Sequence, residues 1–218
     1  MSTNQILERL FGGSATVKVL RLFLFNQDIS LTHEEITVRV HENSGWVKNA
    51  LDHLVKTGFL KKTSNFREVT KLKNRKKTAK PQKPQKVRKP VWEINPSFPL
   101  TDSLRQFFHR ANIVSPKDVV SKLLPVGNIK LIVIAGMFLE EEESRLDLLV
   151  VGDNLKKALF EKAVSSIEAL LGRELRYAAF ETTEFLYRYS MFDKLLRDVF
   201  DFRHEKIFNK LAIFGEQA

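Results

Sequence analysis

Apolar positions in the first hundred residues recur at helical spacing between short polar breaks. Residues 5–11 read as a short helix, stopped by the Gly12-Gly13 pair. Ser14 then caps a helix to about residue 25, with Val17, Leu20, Leu22, Phe23 and Leu24 as its apolar face. Thr32 with Glu35 forms a capping box that opens a third helix, to about residue 40. Asn43 or Ser44 caps a fourth, which Gly58 ends. On that helix Val47, Ala50, Leu51 and Leu54 share one face, while Gly45, Lys48, Asn49, Asp52, His53 and Lys56 share the other. Trp46, near its start, either stacks on a partner or staples the helix to the core, and the staple is the expectation. Residues 59–63 and 91–95 follow as two short strands that pair as a hairpin.

Pro96 and Pro99 mark a change of character, which divides the chain into domains at 1–99 and 100–218. Residues 100–110 and 115–124 read as helices, the second with Ser115 as cap and Pro116 in the favoured first position. Residues 130–136 and 146–152 are continuous apolar runs of the kind that form buried strands. Asn154 caps a helix over 155–171, with Leu159, Phe160, Ala163, Ile167 and Leu170 on one face and Gly172 as its stop. Residues 175–180 make a third strand, and helices start at Thr183 and Phe192. The aromatic-rich run 185–211 reads as a helical cap, an exposed part of which would be a dimer surface. The fold class is α+β.

Charge changes this picture in one place. Residues 61–89 hold thirteen Lys or Arg and one acid, a net of +12, whereas the whole chain is +10 and the other 189 residues sum to −2. Residues 71–89 have no aromatic side chain and only Leu72 and Val87 as sizeable apolar ones. Such a segment cannot bury enough surface to offset its ordering entropy, so it is expected to be a mobile cationic loop. A polyanion is its natural partner.

Composition excludes several function classes. Zero cysteines leave no disulfide, thiolate metal site or cysteine nucleophile. No apolar run reaches eighteen residues, and the first residues lack a signal-peptide pattern, so a cytoplasmic location without a membrane partner is expected. His33, His41 and His53 lie on different elements without paired carboxylates at ligand spacing, so neither a metal nor another cofactor is expected.

The order of three helices, strand, basic loop and returning strand resembles a winged helix-turn-helix domain over roughly residues 7–100. The matching residues are LTHEEITVRV at 31–40, NSGWVKNALDHLVKTGFL at 43–60 and the strand pair around the basic loop. The resemblance implies that the helix beginning at Ser44 enters a DNA major groove while the wing follows the backbone or a minor groove. Lys48, Asn49 and His53 would then face bases, Lys donating to guanine and Asn pairing with adenine, and Ser44 would join them in contacting the nucleic acid. Lys71, Lys73, Arg75, Lys76, Lys77, Arg88 and Lys89 would neutralise phosphates. This wing exceeds a usual one by about twenty residues, which suits a disordered arm. Trp46 stands where the resemblance puts a small polar residue.

The order strand, Gly, acidic loop, S-x-x-D-L-L-V-V-G, helix, G-R-E, strand resembles a minimal nucleotidyltransferase domain over about residues 130–185. An active member has Gly-Ser after the first strand, two aspartates one residue apart, and usually a third carboxylate, which together hold two magnesium ions. Here Met137 follows Gly136, Ser144 matches, Arg145 takes the place of the first aspartate, and only Asp147 remains. Arg176 and Ala178 stand near the place of the last acid, and Glu174 lies at its edge. The acids at 140–143 read as a solvated turn. The resemblance implies a catalytically inert domain with a vestigial nucleotide pocket of Gly136, Ser144, Arg145 and Asp147. It would serve to hold two copies together as a homodimer, or to bind a nucleotide whose phosphate meets Arg145.

The functional expectation is a sequence-specific regulator that binds double-stranded DNA. Two alternatives stay open: a magnesium-dependent nucleotidyltransferase targeted by the winged helix, and an RNA-binding protein that uses the basic arm.

Overall fold

Gly12 and Gly13, at φ +81° and +127°, turn the chain between helix α1 (Thr3–Leu10) and helix α2 (Ser14–Phe25) in a computed structural model that describes residues 3–69, 85–111, 114–141 and 143–214. The chain mixes helix and strand with two small sheets, which is compatible with α+β, and divides into two compact units, Met1–Ala111 and Asn112–Ala218.

α2 is the central helix of the first unit. Val17, Val19, Leu20, Leu22, Phe23 and Leu24 are all buried, so it is covered nearly all round and not on one face only. Ser14 does not cap it. Gly13 holds that position, and the Ser14 hydroxyl instead donates to Glu42 Oε1 at 2.6 Å. Lys18 Nζ meets the same oxygen at 2.7 Å, tying α2 to the turn after helix α3 (His33–Val40). The expected Thr32–Glu35 capping box is present in both directions. Asn43, not Ser44, caps helix α4 (Ser44–Lys56), its Oδ1 accepting from the Gly45 amide, and Gly58 follows at φ +80°.

Burial alone would raise the Glu42 carboxyl, but hydrogen bonds from Lys18 and Ser14 and the Lys18 charge outweigh it and hold the group below the ordinary carboxylate range. A carboxyl depressed on folding stabilises above its unfolded pKa, and that contribution is lost as pH falls through the folded value. Glu42→Gln is therefore expected to lower stability by about 1–3 kcal/mol at neutral pH. The difference from the parent should shrink as pH drops below the ordinary carboxylate range. Denaturant melts of both proteins across pH check it.

Strands β1 (Leu60–Val69) and β2 (Gln85–Ile94) form an antiparallel hairpin in register from Leu60↔Ile94 to Val69↔Gln85. Leu31 adds a short third rung through reciprocal hydrogen bonds with Trp92 at 3.0 and 2.8 Å. Both strands outrun the sequence expectation, because that reading stops where apolar side chains stop, while backbone pairing does not need them. Arg88 and Lys89 thus lie in a strand and not in a loop. So do residues 85–87 of the expected mobile loop, and the rest of it, at 71–84, lies outside the described residues.

Helix α5 (Thr101–Arg110) belongs to the first unit. Phe108 is buried with its ring 5.3 Å from that of Phe11, and Arg105 Nε donates to the Leu24 carbonyl. The division falls after Ala111, one helix later than the prolines suggest. Those prolines mark a packed turn: Asn95 Nδ2 donates to the Gly58 carbonyl, and Phe98 packs edge-on to Phe59.

In the second unit, Ser115 and Asp118 form a capping box at helix α6 (Pro116–Leu123). Strand β3 (Asn128–Ile134), strand β4 (Leu148–Asp153), helix α7 (Lys157–Leu171), strand β5 (Tyr177–Phe180), helix α8 (Thr182–Ser190), helix α9 (Lys194–Asp201) and strand β6 (Glu205–Asn209) follow. The sheet order is β5-β4-β3-β6, with β4 parallel to β5 and β3 antiparallel to both of its neighbours. β3 and β4 are buried on both faces. Ile132 and Val150 pack under α6 and α7, whereas Val133 and Val151 pack with Phe185, Leu196 and Val199 from α8 and α9. That is why their sequences are apolar without alternation.

Three details differ from the sequence reading. The helical cap over 185–211 ends early, and Glu205–Asn209 is an edge strand with two charged residues followed by Ile207 and Phe208. Asn154 is at φ +54° and Lys156 is the residue that precedes α7, so Asn154 caps nothing. Leu159 is 43% exposed, and the buried face of α7 is Phe160, Ala163, Val164 and Ile167.

Candidate nucleic-acid interface

Val47, Ala50, Leu51 and Leu54 are buried, as the spacing predicts, and this fixes the rotation of α4. Ser44, Lys48, Asn49 and His53 all lie on its exposed side. Ser44 also accepts at its carbonyl from the α3 side, with His33 Nε2 at 3.1 Å. Trp46 overturns the staple expectation, being 64% exposed. It sits one residue before the buried Val47, at the edge of the apolar stripe, where the first turn of α4 runs beyond the core. With Asn49 and His53 it forms one wall of a cleft of about 570 Å³, whose other wall is residues 11–16. Trp46, Asn49 and His53 therefore meet on one edge of α4, and Lys48 is not part of that wall.

The base of the hairpin carries more cations. Lys61, Lys62 and Arg88 are exposed, and Lys62 Nζ lies 5.2 Å over the Trp92 ring. Lys89 is not free as expected: its ammonium is 3.4 Å from Glu34 Oε1. A pair that long and that exposed is weak, so a phosphate can displace the carboxylate. The Glu34 carboxyl lies below its ordinary range, chiefly through a backbone hydrogen bond at its own residue, against some desolvation, with Lys89 adding to the depression. Phe66 is 65% exposed and pairs across the hairpin with Arg88, giving a ring and a guanidinium on one rung. Sequence reasoning missed Phe66. Its signal was an aromatic beyond the last core position of the strand. Lys71, Lys73, Arg75, Lys76 and Lys77 lie outside the described residues.

In the second unit the remaining aspartate of the nucleotidyltransferase-like pattern is fully buried, and its carboxylate accepts four hydrogen bonds. Asp147 Oδ1 accepts from the Met137 amide at 2.9 Å and from Arg176 Nη2 at 2.8 Å. Its Oδ2 accepts from the Arg176 amide at 2.9 Å and from Arg176 Nε at 3.0 Å. Asp147 holds the Arg176 guanidinium above its ordinary pKa, chiefly by hydrogen bonding and against some desolvation. Gly136 is at φ +51°, and a Cβ there would collide with Asp147 Oδ1. The Ser144 hydroxyl donates to the Leu146 carbonyl at 2.6 Å.

Arg145, expected to meet a nucleotide phosphate, has a half-exposed side chain. It forms an ion pair with Asp198 of α9 at 2.8 Å, close but without hydrogen-bond alignment. Of the four pocket residues, Gly136 and Asp147 meet, Ser144 closes the loop between them, and Arg145 pairs with α9. Divalent cations need oxygen lone pairs that are free to coordinate, and here Arg176 already supplies the positive charge. No group of three His, Asp or Glu side chains with metal-holding geometry occurs among the described residues. Nor is any described helix long and apolar enough to cross a membrane.

Comparison of the chain with protein-family models, with curated proteins and with solved structures returned no match.

Proposed function

We propose that the chain is a sequence-specific DNA-binding regulator, its first unit working as a winged helix-turn-helix. The second unit, on this proposal, is a catalytically inert nucleotidyltransferase-like domain that pairs two copies or senses a ligand. The observation that carries this is α4, whose apolar stripe is locked into the core while Lys48, Asn49 and His53 face solvent. The short Leu31 rung and the cationic hairpin that follows α4 support it, since they supply the sheet and wing that such a domain needs. The engaged Asp147 supports an inert second unit, because a carboxylate saturated by donors serves structure better than metal binding.

Asn49→Ala is expected to cost about 1–3 kcal/mol on the preferred duplex and to relax the preference at one base pair, with random-sequence binding unchanged. Competition binding on single-base variants of a selected site checks it. A uniform loss across all sequences would instead make Asn49 a backbone contact.

The exposed Phe66 beside Arg88 favours one second reading, a single-stranded or structured RNA target stacked on the hairpin. Direct competition of duplex DNA against RNA separates the two.

A further inference from the structure

We propose that the cleft between the start of α2 and α4 binds a phosphorylated nucleoside, its phosphate on the first turn of α2 and its base against Trp46. The consequence for regulation rests on the DNA-binding proposal: an occupied cleft covers Trp46, Asn49 and His53 on the helix offered to DNA.

α2 has twelve residues and starts without a side-chain cap, because Gly13 contributes none. The first-turn amides at Ser14, Ala15 and Thr16 have no hydrogen-bond acceptor among the described residues. Such amides at the positive end of a helix dipole suit an anion. A second observation points the same way. Thr16 is only 6% exposed, it lines the cleft, and its hydroxyl has no hydrogen-bond partner among the described residues. A hydroxyl on the lining of a cleft with no protein partner is open to a ligand oxygen. At Gly12 and Gly13 an added Cβ would meet nothing within 4 Å, which leaves open space over the turn.

The facing wall suits a base. Trp46, Asn49 and His53 form one stripe along α4, and seven residues of helix span about 10 Å, the reach of a nucleoside monophosphate. An exposed indole offers a stacking face, and an Asn amide matches the adenine edge. The volume of about 570 Å³ fits a ligand of this size. Glu42 also reaches this end of α2 through the Ser14 hydroxyl, but Lys18 pairs with it at 2.7 Å and offsets its charge.

The chain has two tryptophans, and Trp92 is buried, so fluorescence quenching reports on Trp46. The full chain is titrated with adenosine monophosphate, adenosine and inorganic phosphate, alongside Thr16→Val and Trp46→Phe. Saturable quenching by adenosine monophosphate is expected, with adenosine and phosphate each at least about tenfold weaker, since each keeps half of the contacts. Thr16→Val should weaken the nucleotide about tenfold, leave adenosine unchanged, and melt with the parent. Trp46→Phe should lose the signal, while the nucleotide still displaces labelled duplex from the parent. Absence of saturable quenching at millimolar nucleotide overturns the proposal. So does equal binding by Thr16→Val. Quenching by duplex but not by the nucleotide also overturns it, making the cleft a seat for a backbone phosphate while DNA binding stands. Nucleotide binding in a protein that binds no duplex supports the cleft and removes the regulator proposal.

Discussion

Replacing Asp147 by alanine is expected to destabilise the second unit by about 3–5 kcal/mol, the cost of breaking a buried, hydrogen-bonded charge pair from one side. The carboxylate is fully buried and accepts from the Met137 amide as well as from three donors of Arg176. Truncation strands those amides, and each buried donor left without a partner costs about 1–3 kcal/mol. Arg176→Ala should also destabilise, because it leaves the fully buried carboxylate with backbone amides alone and no counter-charge. Gly136→Ala should resemble Asp147→Ala, since the left-handed φ is strained for alanine and the new Cβ meets the carboxylate. The sign is the informative part. A carboxylate kept for metal chemistry is held among like charges at a cost to stability, so its removal tends to be neutral or stabilising. Denaturant unfolding followed by far-UV dichroism measures the difference. A neutral or stabilising Asp147→Ala, or label transfer from a nucleotide that this change abolishes, would restore the enzyme alternative.

The largest effect on binding is expected from the hairpin. Replacing residues 70–84 with Asn-Gly removes seven Lys or Arg side chains and fits the pairing of Val69 with Gln85, which a two-residue turn can close. Each phosphate contact contributes about 0.9 to the slope of log affinity against log salt, so seven contacts make up roughly six units of slope. The replacement should then lose about three decades of affinity at low salt and flatten the salt dependence. Arg88→Ala should change the slope by only about one. Folding should be little affected, since Leu60, Val91, Trp92 and Ile94 anchor the hairpin base and remain in place. Parent-like slope in the shortened protein would mean that these cations touch no phosphate.

How much was legible in the sequence depended on whether a local rule governed the residue. The capping box at Thr32, the Ser115 cap and the buried stripe of α4 follow from spacing alone, and all three are present. The twin apolar runs of β3 and β4 gave the middle of the second sheet for the same reason. β6 was hidden because the aromatic residues around Glu205–Asn209 fit a helix as well as an edge strand, and its pairing with β3 is made across a long stretch of chain. The extra length of the hairpin was hidden because hydrogen bonding, not hydrophobicity, extends it. At Asp147 the pattern identified the residue but not its use. Arg176, twenty-nine positions away, reaches it only once β5 lies parallel to β4. Trp46 erred in the opposite direction, since size and aromaticity suggested burial where helix rotation dictates exposure.

Base readout by α4 is tested most directly by selection from a randomised duplex pool at physiological salt, with the full chain and with Lys48→Ala/Asn49→Ala side by side. The expected result is one enriched motif, bound at least about 10³-fold more tightly than random duplex by the parent and lost in the double variant. Binding that follows salt and length alone, with no motif from either protein, would contradict sequence-specific recognition and leave a general nucleic-acid binder.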